Sequence, residues 1–443
     1  MLGLSEVMKL NCKTHLKIQN NMRDASKYSQ RGAAAIILIL LVVMAGITVM
    51  FSGINAQDYK TGREKKTSDA LADAKASLIA WSVNQAPPPS FTGGTPGQLP
   101  CPEDTSLIGL ATEGTAKTSC ALPAIGRLPW KTLGLGDLRD GNGDRLWYVV
   151  SSGFRVAPIN SETTAQLTVD GVANSAVAII FSPGAPIGNQ SRPQPTAALP
   201  PNVVQYLDVT NSDGDNVFIS KLSSTSFNDR LLSISHADLF NVVEKRVLRD
   251  AKNCLDTYAI TGTAGKYPWA AQVADVTTYT GVEGVLFGRI PRVIVTNVSG
   301  TADPSMPMAW SAVVGCVLYP NTTYWYTSGW QDLVFYQLSS VYQPGSVQPP
   351  PANACVGKCL DVLGSGNSSA GTTTYRAILL MAGEPINLQA RLNKTIASNY
   401  LEGSNVHTNP TPSLSFETYR QKDASFQNVN DLVMCIDGRI NCN

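Results

Sequence analysis

The sequence predicts an α+β fold: a long N-terminal helix, first transmembrane and then amphipathic, followed by two copies of a helix-plus-antiparallel-sheet module. Three observations support this fold class: an uncharged apolar run near the amino terminus, a helix-forming pattern after it, and motifs that recur in the second half. The 443 residues also exceed the ~100–200 of one ordinary domain. We expect a leader at 1–32, a transmembrane helix at 33–54, and modules at 55–235 and 236–443.

Charge and composition exclude several classes of function. The 34 basic and 33 acidic residues nearly balance, so we expect no nucleic-acid partner. Charged residues make up only 15% of a chain rich in Gly and Pro, which is typical of exported, turn-rich β proteins. The sequence has three histidines and lacks the GxSxG, HExxH, P-loop and dinucleotide-binding motifs. We therefore expect no enzymatic activity.

The apolar run extends from Ala33 to Ile54 without a charged side chain. About 20 such residues can cross a bilayer as a helix. Six basic residues precede the run, and basic residues stay on the cytoplasmic side of a membrane, so the chain after Asn55 should be exported. A plain single-pass anchor is the simpler alternative to the interpretation that follows.

The junction between the basic segment and the apolar run has a specific pattern. Gln30-Arg31-Gly32 directly precedes Ala33, so a polar, basic leader ends in glycine just before an apolar helix. This pattern resembles the leader of type IV prepilins, which a prepilin peptidase cleaves after the glycine. The resemblance implies cleavage between Gly32 and Ala33, N-methylation of Ala33 and a pilin-like architecture. Translation could start at Met1 or at Met22.

One position departs from the prepilin pattern. Ile37 stands at the fifth mature position, where the family usually has a glutamate that pairs with the neighbouring subunit above it in the filament. A carboxylate in an apolar helix bundle is costly unless it is paired, so a subunit with no neighbour above it does not need one. The absence of the acid resembles tip-type minor pseudopilins, and it also fits a protein that never polymerises.

The resemblance implies a minor pilin or pseudopilin of a type IV pilus or type II secretion-like filament, with a structural or assembly role that includes the filament tip. Its partners would be other pilin subunits, reached through the N-terminal helix, the prepilin peptidase and the bacterial inner membrane. The C-terminal part would lie in the periplasm or in a surface pilus. The alternative is a membrane-anchored adhesin or binding ectodomain outside any filament.

Residues 60–82 continue the helical pattern beyond the apolar run. Ala70, Leu71, Ala74, Leu78 and Trp81 recur at helical spacing with charged residues between them. This spacing predicts an amphipathic helix that packs on a globular head. An ordinary juxtamembrane helix would give the same pattern.

A series of motifs recurs in the same order, which predicts that one helix-then-sheet module is present twice. The pairs are Leu71-Ala72-Asp73-Ala74-Lys75 and Leu248-Arg249-Asp250-Ala251-Lys252, Gly126-Arg127-Leu128-Pro129 and Gly288-Arg289-Ile290-Pro291, the segments 146–152 and 333–340, 178–192 and 377–391, Tyr206-Leu207-Asp208 and Tyr400-Leu401-Glu402, and Asn228-Asp229 and Asn430-Asp431. Short β segments between turn residues predict antiparallel sheets. The second helix should begin near 233–236, with Ser235 or Asp238 as its cap.

Eight of the nine cysteines lie after the apolar run, an even number that predicts four disulfides in an oxidising compartment. Their spacing favours local pairs, although eight cysteines allow ~105 connectivities. The expected pairs are Cys101–Cys120, Cys254–Cys316, Cys355–Cys359 and Cys435–Cys442.

The segment 138–144 has oxygen-bearing side chains at alternating positions around glycines. Asp140, Asn142 and Asp144 could begin a calcium-binding loop, which makes Ca²⁺ the one candidate cofactor. The distal glutamate of an EF-hand is missing, and the same residues also form a good turn. Tyr324-Trp325-Tyr326 could bind carbohydrate if exposed, although sheet residues of this kind are more often buried.

Overall fold

The computed structural model describes residues 15–121, 124–261, 265–346, 360–363, 375–386, 389–407, 418–420 and 429–436; 15–35, 48–56, 361, 363 and 418–420 are described by their backbone alone. The chain forms two compact units, 1–66 and 67–443. Within the second unit, residues 67–235 are called the first module and residues 236–436 the second module.

The first helix, α1, extends from His15 to Val83 and includes the predicted amphipathic region. Beyond Val83 the backbone forms turns: Asn84 N donates to Ala80 O at 3.2 Å and Gln85 N donates to Ser82 O at 3.4 Å. Pro87 follows shortly afterwards, as is common after helix ends, because proline cannot continue the helix.

The predicted fold class is wrong in its transmembrane helix at 33–54. Among the residues that the structure describes, no helix is both long enough and apolar enough to cross a membrane. The described chain is a mixed α/β structure.

The remaining helices and the strands are short, apart from α2. The helices are α2 (His236–Thr261), α3 (Tyr324–Thr327) and α4 (Trp330–Leu333). The strands are β1 (Ala124–Arg127), β2 (Trp147–Val150), β3 (Leu167–Val169), β4 (Val172–Ala176), β5 (Ala178–Ser182), β6 (Val217–Phe218), β7 (Arg230–Ile234), β8 (Phe287–Arg289), β9 (Asn297–Val298), β10 (Thr301–Ala302), β11 (Val334–Leu338), β12 (Asp361–Leu363), β13 (Ala377–Met381), β14 (Thr418–Arg420) and β15 (Leu432–Ile436).

Each module contains a four-stranded antiparallel sheet, and the two sheets have the same strand order. Sheet A runs β1-β2-β5-β7, and sheet B runs β8-β11-β13-β15. The register also corresponds: Gly126 lies opposite Tyr148 in sheet A, and Gly288 lies opposite Tyr336 in sheet B. Both tyrosine hydroxyls donate to a proline carbonyl at 3.2 Å, that of Pro100 or Pro268. The repeated motifs thus occupy equivalent positions in two related sheets.

One hydrophobic core contains the buried side chains of α1, α2, sheet A and sheet B. Leu78 of α1 and Leu255 of α2 are both fully buried, and burial of a leucine side chain contributes ~1.5–3 kcal/mol. A smaller core lies on the other face of sheet A and contains Trp147 and Phe181. The two modules therefore fold around shared apolar side chains.

Helix α2 begins with a capping box. Ser235 N donates to Asp238 Oδ2 at 2.8 Å, and Asp238 N donates to Ser235 Oγ at 3.1 Å. These bonds satisfy backbone donors that a helix start leaves unpaired. Lys75 of α1 donates to the same Asp238 oxygen at 2.8 Å and to Ser233 O at 3.0 Å, which joins the two helices.

Arg246 of α2 makes a second connection, at the carboxyl end of α1. Its guanidinium donates to Gln85 O and Ala86 O, each at 2.8 Å, and also to Val83 O. The last carbonyls of a helix have no partner within that helix, and a cation there is favourable. Arg246 thus caps α1 from the other module.

Candidate functional site

The apolar segment 36–47 of α1 is exposed around the helix. Ten of its large side chains have between 46% and 65% of their surface exposed: Ile36, Ile37, Leu38, Ile39, Leu40, Leu41, Val42, Val43, Met44 and Ile47. Exposed apolar surface of this extent marks a site of protein–protein or membrane interaction. A helix that is apolar on all sides needs apolar surroundings. Ile37 belongs to this surface.

Gly32 and Ala33, the predicted cleavage and methylation site, lie within α1 and are described by their backbone alone. The cleavage and the methylation therefore stay predictions from the sequence.

The structure contains two of the predicted disulfides. Cys101–Cys120 lies in the first module and has a Cα–Cα distance of 6.0 Å. Cys254–Cys316 joins α2 to the segment before α3 and has a Cα–Cα distance of 4.6 Å. Cys435 is also disulfide-bonded. The other predicted members, Cys355, Cys359 and Cys442, lie outside the described residues.

The candidate calcium loop uses its carboxylates for internal bonds. Asp140 is fully buried; its Oδ1 accepts from Asn142 N at 2.8 Å and Asp144 N at 3.0 Å, and its Oδ2 accepts from Ser182 Oγ at 2.7 Å. Asp144 pairs with Arg192 at 2.5 Å. In the described part of the chain no group of three or more acidic, histidine or cysteine side chains could hold a metal ion. The geometry is that of a bonded turn, and calcium stays a prediction without structural support.

The aromatic segment at 324–326 lies mostly inside the protein. Tyr324 and Trp325 are buried, and Tyr324 Oη donates to Asp250 Oδ2 at 2.6 Å. Burial removes the flat exposed rings that carbohydrate binding needs, so this segment offers no sugar-binding surface.

Each module also contains a buried polar cluster that the sequence showed only as repeated motifs. The first cluster comprises Gln190, Arg192, Asp208, Asn211, Asn228 and Asp229, and the second comprises Gln389, Arg391, Glu402, Asn405, Asn430 and Asp431.

In the first cluster, two carboxylates anchor the segments that precede β6 and β7. Asp229 Oδ2 accepts from Asp208 N at 2.8 Å and from Asn211 Nδ2 at 3.0 Å. Gln190 Nε2 donates to Asp208 Oδ1 at 3.1 Å, and Arg192 donates to Gln190 Oε1 at 2.7 Å. Burial is the main reason that the pKa of Asp229 is raised to about 7.

The second cluster repeats these bonds with a glutamate in place of Asp208. Asp431 Oδ2 accepts from Glu402 N at 3.0 Å and from Asn405 Nδ2 at 2.9 Å. Gln389 Nε2 donates to Glu402 Oε1 at 2.6 Å, and Arg391 donates to Gln389 Oε1 at 2.8 Å. Burial and the nearby Glu402 carboxylate raise the pKa of Asp431 well above its usual value. Oδ1 of Asp431, like Oδ1 of Asp229 in the first cluster, is buried and accepts no hydrogen bond among the described residues, so each network is satisfied only in part.

Comparisons with known proteins do not assign a family. No family model, curated protein or solved structure matches this chain. The exposed apolar surface of α1 and the relation between the two modules are therefore the features that bear on function.

Proposed function

We propose that this protein is a minor pilin-like or pseudopilin-like structural subunit that assembles through the apolar surface of α1. One observation carries the proposal: the segment 36–47 exposes ten large apolar side chains. Helices of other subunits would cover this surface, since burial of apolar area contributes ~25 cal/mol per Å². The prepilin peptidase would release the helix by cleavage between Gly32 and Ala33.

Two further features support an exported structural subunit. Two disulfides brace the part of the chain beyond α1, as expected for a protein outside the reducing cytoplasm. The buried polar groups bond with one another inside the modules, which is typical of structural networks.

The first test is the mature amino terminus. Co-expression of the full chain with a prepilin peptidase, followed by amino-terminal sequencing, should give a chain that begins at Ala33. The variant Gly32→Leu should keep its leader under the same conditions. A wild-type chain that retains Met1 or Met22 would contradict the proposal.

The second test is assembly through α1. A charge in the apolar segment should prevent helix packing, because an unpaired buried charge costs several kcal/mol, so Leu40→Lys should be absent from sheared filaments. Leu222→Lys is the matched control, since Leu222 is 93% exposed in the first module and should be incorporated normally. If deletion of the gene abolishes surface attachment but leaves filaments intact, the adhesin alternative is favoured instead.

A further inference from the structure

The first module inserts an acidic side chain into the second module. Glu162 Oε1 lies 3.7 Å from Arg391 Nη1, and neither atom has a hydrogen-bond partner among the described residues. Arg289 and Lys394 also act electrostatically on Glu162. An acid of one module thus enters a basic site of the other.

This basic site is built on an aromatic ring. The guanidinium groups of Arg289 and Arg391 lie 4.9 Å and 4.8 Å from the ring centre of Tyr400. Arg289 is fully buried and also lies 3.9 Å from the ring centre of Phe335. Buried arginines need a nearby negative group: Asp332 of the second module acts electrostatically on Arg289, and Glu162 lies beside Arg391.

The first module contains the same arrangement at equivalent positions. Arg127 and Arg192 lie 5.7 Å and 5.0 Å from the ring centre of Tyr206. Arg127 lies opposite Trp147 in sheet A, as Arg289 lies opposite Phe335 in sheet B. The motif pairs that identify the repeat include both arginines of each site.

The first module has a small polar cavity at this place, of about 120 Å³. Its lining includes the four arginines Arg127, Arg139, Arg145 and Arg192 but only two acidic side chains, Glu113 and Asp144. Arg127 is only 6% exposed, its Nε has no hydrogen-bond partner, and it forms no ion pair among the described residues. Glu103 and Asp137 also pair with Arg145, so acids match most of this charge, and the cavity has room for one carboxylate beside the buried Arg127.

The relative placement of α1 and α2 indicates where a subunit that carries such a carboxylate would bind. Lys75 contacts Asp238 and Arg246 contacts Val83, both pairs being 163 positions apart, so α1 and α2 run in the same direction. Residues that correspond in the repeat, such as Leu71 and Leu248, are 177 positions apart. The modules are therefore displaced by 14 residues along the helices, or about 21 Å at 1.5 Å per residue.

A displacement along parallel helices is a head-to-tail relation. Such a relation uses different faces of the two partners, so it can be repeated by further subunits, whereas a two-fold contact closes on itself. The face of the first module that corresponds to the covered face of the second module contains the arginine cavity. A second copy of this chain cannot supply the equivalent acid, because its own Glu162 is already used.

We propose that the arginine cavity of the first module receives an aspartate or glutamate side chain from a neighbouring one-module subunit of the same helix-plus-sheet class. That subunit docks on the first module as the first module docks on the second. The inference rests on the proposed function, because it needs a filament of related subunits. It adds the docking face and the charge of the partner residue.

The test is site-specific photo-crosslinking of the full chain in the bacterium that makes it. Gln194 lines the cavity and is exposed, so Gln194→benzoylphenylalanine should give an adduct with another pilin-like subunit. Mass spectrometry should locate the link within a few residues of an Asp or Glu. The matched control is Asn393→benzoylphenylalanine at the equivalent place in the second module, which should link only to its own chain.

A second substitution tests the charge. Arg127→Met should lower the adduct yield by about tenfold, since it removes one partner of a buried charge pair, whereas Arg127→Lys should restore most of it. Equal thermal melting of both variants checks that they fold. A second copy of the chain as the linked partner, or an unchanged yield with Arg127→Met, would overturn the inference.

Failure of this inference can be distinguished from failure of the proposed function. Absence of the adduct in cells where the chain begins at Ala33 and enters filaments rejects the arginine cavity alone. Absence of the adduct together with an uncleaved leader rejects both.

Discussion

The two modules differ most where their basic sites meet an acid. In the second module, Arg391 faces Glu162 of the first module, and the site is closed within the chain. In the first module, Arg192 pairs with Asp144 and the neighbouring Arg127 borders a cavity of about 120 Å³. The same arrangement of arginines therefore meets an acid of the same chain in the second module and borders a cavity in the first. Repetition of a fold does not require repetition of its contacts.

The largest expected difference between the modules concerns their disulfides. Cys254–Cys316 closes a loop of 62 residues and Cys101–Cys120 one of 19. Chain entropy predicts losses of about 4 and about 3 kcal/mol when each bond is removed. Paired Cys→Ser variants, compared by chemical denaturation, measure the two losses. A larger loss for the shorter loop would contradict the entropic account and assign more stability to the first module.

Two aspartates at equivalent positions of α1 and α2 allow the two helices to be compared directly. Asp250 is 7% exposed and accepts from Tyr324 Oη at 2.6 Å and from Arg246 Nε at 3.2 Å. Its repeat counterpart, Asp73, is exposed. Asp250→Asn should lower the free energy of unfolding by about 1–3 kcal/mol, because a buried charged hydrogen bond is lost. Asp73→Asn is the matched control and should change it by less than about 0.5 kcal/mol.

The third expected effect is a pH dependence of stability from the first polar cluster. Because burial raises the pKa of Asp229 from 3.8 to about 7, the folded state holds a proton that the unfolded state has lost between these pH values. Stability should therefore fall as pH rises from about 4 to about 7, by at most about 1.4 kcal/mol per pH unit.

Asp229→Asn should flatten this dependence in unfolding curves recorded at several pH values. The exposed Asp213→Asn is the control and should leave the slope as it is. A slope that persists in Asp229→Asn would assign the effect to another group, with Asp431 of the second cluster as the next candidate, because its pKa is raised in the same direction.

Local patterns in the sequence predict the parts of this structure that are determined by residues close together in the chain. Helical spacing predicts the helix at 60–82, and Ser235 and Asp238 are predicted caps that form a capping box. The motif pairs 126–129 and 288–291, 146–152 and 333–340, and 178–192 and 377–391 include equivalent strands of the two sheets, because the alternation that sets strand register is a local pattern.

The clusters and the cavity could not be predicted in this way. Asp208 and Asp229 are 21 positions apart, and Glu162 and Arg391 lie in different modules, so only the folded chain brings them together. The transmembrane helix at 33–54 was predicted from hydropathy alone, and the described residues contain no helix able to cross a membrane.

The cap that Arg246 provides for α1 has a mechanical consequence. A pulling force along α1 reaches the second module directly, through the bonds from Arg246 to Val83, Gln85 and Ala86. Part of that force is then carried by α2 and not by the end of α1 alone.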